Sequence, residues 1–234
     1  MTGRLYGIGV GPGDPDLITL KAWRLLTSAP VIAYPAPEQG DSLARRIVAP
    51  HIDGSQIEIA IRMPITAERF PAQEVYDRAA EELAGHLNAG RDVVVLCEGD
   101  PFLYGSFMYL FGRMLERFTV EVVPGVSSLN ACAAVLGAPL VARNDVLTLI
   151  PAPLPEAELE RRLGDTDAAA ILKIGRHFPK VRGVLDRLGL LDHSRYVEHA
   201  TMADQAVLPL ADVVADRVPY FSMILVHRRG EAWR

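Results

Sequence analysis

Cysteine is scarce in this sequence. Cys97 and Cys132 are the only two among 234 residues, so no disulfide framework and no ligand-spaced Cys/His cluster can be read from it. The six histidines show no metal spacing either, and no metal site is expected. A surplus of positive charge is also missing: 24 Lys and Arg stand against 29 Asp and Glu. General nucleic-acid binding rests on phosphate contacts and is not expected of such a chain. An anionic ligand would need a local basic patch. No apolar run approaches the ~20 residues of a bilayer span. The opening MTGRLYGIGVGPGD has neither the apolar stretch nor the small-residue cleavage site of a signal peptide. These absences predict a cytoplasmic protein with reduced thiols and no membrane partner. No P-loop and no nucleophile elbow occur.

Half of the residues are hydrophobic and 23% are charged, which is enough to bury a sizeable core in one large domain or two small ones. Short β-compatible runs alternate with helical periodicity. Strands are expected at residues 4–10, 31–34, 56–61, 91–96 and 120–123, then at 146–150, 168–174, 195–198 and 221–226. Helices are expected at 16–28, 42–49, 71–89, 106–117 and 125–136, then at 155–163, 178–188 and 208–214. Pro35 and Pro37 should stop the second strand. The solid apolar run at 93–96 suits a sheet buried on both faces. The alternation argues for an α/β protein with parallel or mixed sheets and a seam near residues 123–125.

Four segments carry chemistry. GIGVGPGD, at 7–14, runs from a strand through glycines toward a helix, which permits close ligand approach. It fails as a dinucleotide fingerprint, because Pro12 or Asp14 falls where the third glycine belongs and no acid occurs between Asp16 and Glu38. An ordinary capped turn is the other reading. CEGDPFLYGS, at 97–106, follows the most apolar strand, at the end where ligands bind in open α/β sheets. Glu98 and Asp100 there either accept hydrogen bonds from ribose hydroxyls or an amine, or simply cap a turn. In VPGVSS, at 123–128, Ser127 and Ser128 either cap a helix or bond a ligand. In LKIGRHFPKVR, at 172–182, Lys173, Arg176, His177, Lys180 and Arg182 either form a solvated face or dock carboxylates. Arg45 and Arg46 present the same choice.

In order along the chain, GIGVGPGD, EGDP, VPGVSS, LKIG, EHATM and YFSMILV resemble the S-adenosyl-L-methionine-dependent tetrapyrrole methylases. The likeness spans nearly the whole chain. Within that family, DSLARRIV, EGDPFLYGSFMYL, GRHFPKVR and EHATMADQAVLPL are most similar to the members that methylate the C-20 meso carbon of precorrin-2. The resemblance implies two α/β domains, residues 1–123 on the tetrapyrrole side and 124–234 contributing to the donor site, with the active site in the cleft between them, and a homodimer. It implies S-adenosyl-L-methionine as methyl donor, S-adenosyl-L-homocysteine as product and a tetrapyrrole as substrate. The donor contacts it implies are Pro12, Glu98, Gly99, Asp100, Leu103, Ser127, Ser128, Ile174, Ala200, Ser222 and Met223. Ile174 stands where methionine is common and Ala200 where glycine is common. Arg45, Arg46, Lys173, Arg176, His177 and Lys180 are the candidates for the macrocycle carboxylates. No catalytic residue is assigned, and Asp100 and Tyr104 are the nearest candidates. A methylase acting on another tetrapyrrole carbon, a nucleotide-dependent oxidoreductase and a non-catalytic binding protein remain alternatives.

Overall fold

The structure is a computed structural model that describes residues 1–63 and 73–232. It divides into two compact units, Met1–Ser127 and Ser128–Arg234.

The first unit holds strands β1 (Leu5–Gly9), β2 (Val31–Pro37), β3 (Ile57–Met63), β4 (Val93–Cys97) and β5 (Val120–Val123). They form one parallel sheet in the order β3-β2-β4-β1-β5. Its helices are α1 (Leu20–Ser28), α2 (Leu43–Ile47), α3 (Gln73–Asn88) and α4 (Phe107–Met114). Strand side chains alternate between faces. Leu5, Val31, Val93 and Val95 pack with Leu83 and Leu87 of α3 and Leu110 and Met114 of α4. Ile8, Ile32, Val94 and Leu96 pack with Ala22 and Leu26 of α1 and Ala44 and Ile47 of α2. The apolar run at 93–96 is therefore buried on both faces, as its composition implies.

Three expectations for this unit need correction. The helix expected at 16–28 is broken. The Asp14 carboxylate accepts the Asp16 amide and Pro15 opens a single 3-10 turn, Pro15–Leu17. Ile18 and Thr19 are extended, and the Thr19 hydroxyl caps a new helix at Leu20. The second strand runs through both prolines. The Pro30 carbonyl accepts from Ile57, so odd-numbered backbone groups of β2 face β4. β4 pairs only with Val31–Ala33 (residues 31–33). Pro35 and Pro37 therefore withhold amides where no partner waits. The helix expected from residue 125 starts only at Ser128, after a segment whose Gly125 amide is held by Asp100. Residues 71 and 72 of the helix expected at 71–89 lie outside the described residues.

The second unit holds α5 (Ser128–Leu136), β6 (Leu147–Pro151), α6 (Glu156–Gly164), β7 (Ala168–Leu172), α7 (Phe178–Arg187), β8 (Ser194–Glu198), β9 (Ala206–Pro209) and β10 (Ser222–His227). Its sheet is mixed, in the order β6-β7-β10-β8-β9, and only β6 and β7 are parallel. One face packs Ile171, Tyr196 and Ile224 against α6 and α7. The other packs Ala170, Val197, Met223 and Leu225 against Ala131 and Cys132 of α5. The helix expected at 208–214 is absent. Residues 206–209 pair with β8 as an edge strand, and the apolar spacing of Leu210 and Val213 is met by one 3-10 turn. Among the described residues no helix is long and apolar enough to cross a membrane.

Candidate functional site

In the first unit β1 lies between β4 and β5, so the segments leaving their carboxyl ends meet. The Gly99 amide donates to the Gly11 carbonyl at 2.8 Å, and the Gly11 amide to the Gly99 carbonyl at 3.4 Å. Both glycines have positive φ, +85° at Gly11 and +63° at Gly99, which side chains disfavour. Gly9 and Gly125 close the group. A Cβ on Gly9 would lie 2.4 Å from the Gly99 carbonyl oxygen and 2.5 Å from the Gly125 Cα. Three backbones thus approach as closely as only glycine permits.

Asp100 fastens this cluster. Its Oδ1 accepts the amides of Phe102 at 2.9 Å and Leu103 at 3.1 Å, and its Oδ2 accepts the Gly125 amide at 3.0 Å. Both oxygens are occupied in holding the β4 and β5 loops, which explains Asp100 as an organiser of the site. Beyond it Phe102, Leu103 and Tyr104 are exposed, and Tyr104 has φ +57°. Pro12 is buried beside the Gly11–Gly99 bridge. Glu98 is half-buried. Burial pushes its carboxyl above the ordinary carboxylate value, against the hydrogen bonds it receives from its own amide and that of Ala44. Ser127 is buried, while Ser128 is exposed at the first position of α5.

In the second unit β10 lies between β7 and β8, so the start of β10 meets the ends of its two neighbours. Lys173, His199 and Thr201, at those ends, have φ of +59°, +48° and +66°. Non-glycine residues held there cost about 1–3 kcal/mol each and cluster at ligand sites. Ala200, between two of them, is 7% exposed. No hydrogen bond to its N–H or C=O occurs among the described residues. An amide and a carbonyl on one residue without protein partners suit a ligand edge that offers an acceptor and a donor. The Ser222 hydroxyl is engaged inward, donating to the Pro219 carbonyl at 2.6 Å. Ile174 is wholly enclosed in the α7-side core, which leaves its backbone rather than its side chain for a ligand. Met223 packs on the α5 side with Ala200.

The six cationic candidates differ in what they already hold. Arg45 grips Glu58 with two hydrogen bonds, at 2.7 and 2.9 Å, and keeps that carboxyl below its ordinary value. Lys180 donates to the Leu154 carbonyl at 2.5 Å, and burial lowers its ammonium pKa. Burial, then the charges of Lys180 and Arg176, lower His177. Arg46 and Arg176 are exposed and have no carboxylate partner among the described residues. They are the cations most available to an acidic ligand.

Two features escape the sequence reading. The contact of Gly9 with Gly125 joins residues far apart in the chain. Tyr196 is buried with its hydroxyl 2.5 Å from Glu198 Oε2 and 3.1 Å from Ser222 Oγ. Its signal is the period of two that puts Tyr196 and Glu198 on one strand face. Among the described residues no group of three His, Cys, Asp or Glu could hold a metal ion.

Residues 4–213 match the family model described as Tetrapyrrole (Corrin/Porphyrin) Methylases. The chain is 44% identical to the precorrin-2 C(20)-methyltransferase of a Sinorhizobium species, over 96% of this chain and 95% of that one. It is 34% identical to the cobalt-precorrin-2 C(20)-methyltransferase of Salmonella typhimurium over 99% of both. It is also 44% identical to the cobalamin biosynthesis protein CobIJ of Mycobacterium tuberculosis, but spans only 46% of that protein's length. Among solved structures it is similar to the cobalt precorrin-4 methyltransferase CbiF, with TM-score 0.76 and 27% identity over 97% of this chain and 96% of that one. A uroporphyrin-III C-methyl transferase from Thermus thermophilus complexed with S-adenyl homocysteine gives TM-score 0.70 and 26% identity over 96% and 97%.

Proposed function

Because the chain belongs to the tetrapyrrole (corrin/porphyrin) methylases, we propose that it transfers a methyl group from S-adenosyl-L-methionine to the C-20 meso carbon of precorrin-2 or its cobalt complex, in cobalamin biosynthesis. The observation that carries the reading is the 44% identity to a precorrin-2 C(20)-methyltransferase over almost the full length of both chains. In this reading the protein acts in the cytoplasm as a homodimer.

When bound, the donor supplies a methyl group already activated on a cationic sulfur. The protein's own work is then to bind, orient and exclude water, and positioning alone is worth roughly 7–11 kcal/mol of barrier. The Gly9–Gly99–Gly125 cluster gives side-chain-free backbone at the carboxyl edge of the first sheet, where Pro12, Glu98, Gly99, Leu103 and Ser127 are the proposed donor contacts. Asp100 holds the loops after β4 and β5 through three amides. In the second unit Ala200 offers an unpaired amide and carbonyl, which suit the edge of an adenine ring, and Ser128, Ile174, Met223 and the backbone of Ser222 complete the proposed set. Arg46 and Arg176 receive macrocycle carboxylates by paired hydrogen bonds. Asp100 and Tyr104 are the nearest candidates for a catalytic role, and no strong base is needed for the transfer itself.

The test is incubation with methyl-labelled S-adenosyl-L-methionine and precorrin-2, with and without cobalt, followed by location of the labelled carbon. Label at C-20 is expected. Label at another carbon would make the chain a methylase of different regiochemistry, and no transfer to either substrate would reject the reading. Sedimentation of the pure protein should give about twice the 25.6 kDa chain mass.

A further inference from the structure

Tyr196 is 1% exposed, in the middle of β8, with its ring edge-on to Phe178 at 6.0 Å. Its hydroxyl leaves that core along the strand. It lies 2.5 Å from Glu198 Oε2 and 3.1 Å from Ser222 Oγ. Glu198 is two residues along the same face of β8, and Ser222 is its register partner on β10. Burial, then the hydrogen bond to Glu198, push the Tyr196 hydroxyl above the ordinary phenol value, so it remains a donor at neutral pH.

The chain of contacts continues into backbone. The Ser222 hydroxyl donates to the Pro219 carbonyl at 2.6 Å, which fixes the turn before β10. Within that turn the Phe221 carbonyl accepts the His199 amide at 2.9 Å. His199 and Thr201, both at positive φ, bracket Ala200. The Thr201 amide is held in turn by Gln205 Oε1 at 2.8 Å. Tyr196 packs on the α7 side of the sheet, whereas Ala200 and Met223 pack on the α5 side. Tyr196 therefore reaches a ligand at Ala200 only through the backbone it steadies.

We propose that Tyr196 is a positioning residue for the methyl donor: its hydroxyl donates to Glu198, whose register partner is Ser222, and packs its oxygen against the Ser222 hydroxyl, and so it holds the end of β8 against the start of β10 and keeps the Ala200 amide and carbonyl presented to the ligand. The inference rests on the reading above that this edge takes S-adenosyl-L-methionine. It goes beyond that reading by locating affinity for the donor in a buried hydroxyl that never touches it.

The experiment measures S-adenosyl-L-homocysteine binding by calorimetry, and kcat and both KM values, for wild type, Tyr196→Phe, Ser222→Ala, Glu198→Ala and Glu198→Gln. Tyr196→Phe is expected to weaken binding roughly tenfold, because only a fraction of the free protein then presents the Ala200 edge and affinity falls with that fraction. The donor KM should rise in parallel, with kcat and the tetrapyrrole KM unchanged within about twofold. Ser222→Ala, which removes the oxygen that the phenol packs against and the tie to Pro219, should give the same pattern if Tyr196→Phe folds poorly. Glu198→Gln, still an acceptor for the phenol, should keep most of the affinity that Glu198→Ala loses. Wild-type affinity in both Tyr196→Phe and Ser222→Ala would overturn the proposal, as would an equal loss in kcat and in both KM values. If wild type itself fails to bind S-adenosyl-L-homocysteine, the functional reading falls and this inference falls with it.

Discussion

The carboxylate of Asp100 accepts the backbone amide of Gly125 at 3.0 Å, across 25 positions of sequence. With its other oxygen it accepts two amides of its own loop. One side chain thus ties the exits of β4 and β5 together, and Gly9 at the end of β1 packs against both. Asp100→Ala leaves three amides without their acceptor. It should cost about 2–4 kcal/mol, since each orphaned buried donor is worth ~1–3 kcal/mol and these are partly solvated. Asp100→Asn retains one acceptor oxygen and should cost about half as much. Urea titration of the three proteins measures both, and equal stability of Asp100→Ala and wild type would contradict the role.

Gly9→Ala and Gly85→Ala should move stability in opposite directions. The first drives a methyl into the backbone of Gly99 and Gly125, at 2.4 and 2.5 Å, where nothing can rotate away. A loss of at least ~2 kcal/mol is expected, within the range of an overpacked core. Gly85 lies on the exposed side of α3, and its Cβ would meet nothing within 4 Å. Alanine there should raise stability by about 0.5–1 kcal/mol. Thermal melts of the two variants decide the matter.

Stability should depend on Glu98 through pH, with a definite sign. Its folded carboxyl is raised above the ordinary value of 4.5, so the folded state holds its proton longer than the unfolded chain. The contribution of Glu98 therefore becomes less favourable as pH rises from the unfolded value through the folded one. Glu98→Gln, which cannot ionise, should gain on wild type across that window and hold a constant advantage above it. Denaturation at a series of pH values measures the difference, and an advantage that shrinks with rising pH would show the sign to be wrong.

Both thiols should be silent in the native protein. Cys97 and Cys132 are buried. Burial raises Cys97 well above the ordinary thiol value and Cys132 to about 12, so neither forms the reactive thiolate near neutral pH. A chromogenic disulfide reagent at pH 8 should find no thiol until guanidinium unfolds the chain, and two thereafter. Rapid native labelling of either would contradict the burial.

Arg45 and Arg176 should separate structure from binding. Arg45→Ala breaks the partly exposed pair with Glu58 and should cost at most ~1 kcal/mol of stability. Arg176→Ala should leave the melting temperature unchanged and raise the tetrapyrrole KM, because Arg176 has no carboxylate partner among the described residues. If Arg176→Ala and Arg176→Glu both keep the wild-type KM at low salt, this arginine does not face the substrate.

Much of the molecule is legible in its residues. Alternation along the strands, the apolar run of Val93–Cys97 and the helical spacing of Leu83 and Leu87 arise from interactions a few residues long. They mark most of the strands and helices, and the ordered motifs mark the family. The misreadings have a common cause. The break at Ile18 depends on which caps claim the amides around it, and β2 passes two prolines because β4 pairs with it only as far as Ala33. The apolar residues near Leu208 match a helix period, yet β8 offers them an edge to pair with. No local pattern records such a neighbour.

The same division applies to the glycine-rich turn. Its sequence alone rules out a dinucleotide fingerprint and marks it as a place where backbone comes close to something. Only the strand order β4-β1-β5 decides that this something includes Gly99 and Gly125, with Asp100 holding them in register. Likewise, sequence places Tyr196 on a strand, and the pairing of β8 with β10 brings its hydroxyl to Glu198 and Ser222. Local chemistry is written in neighbouring residues because helix, turn and strand preferences act over a few bonds. Which distant groups share a hydrogen bond is settled when the sheet closes and every buried amide has to find its acceptor.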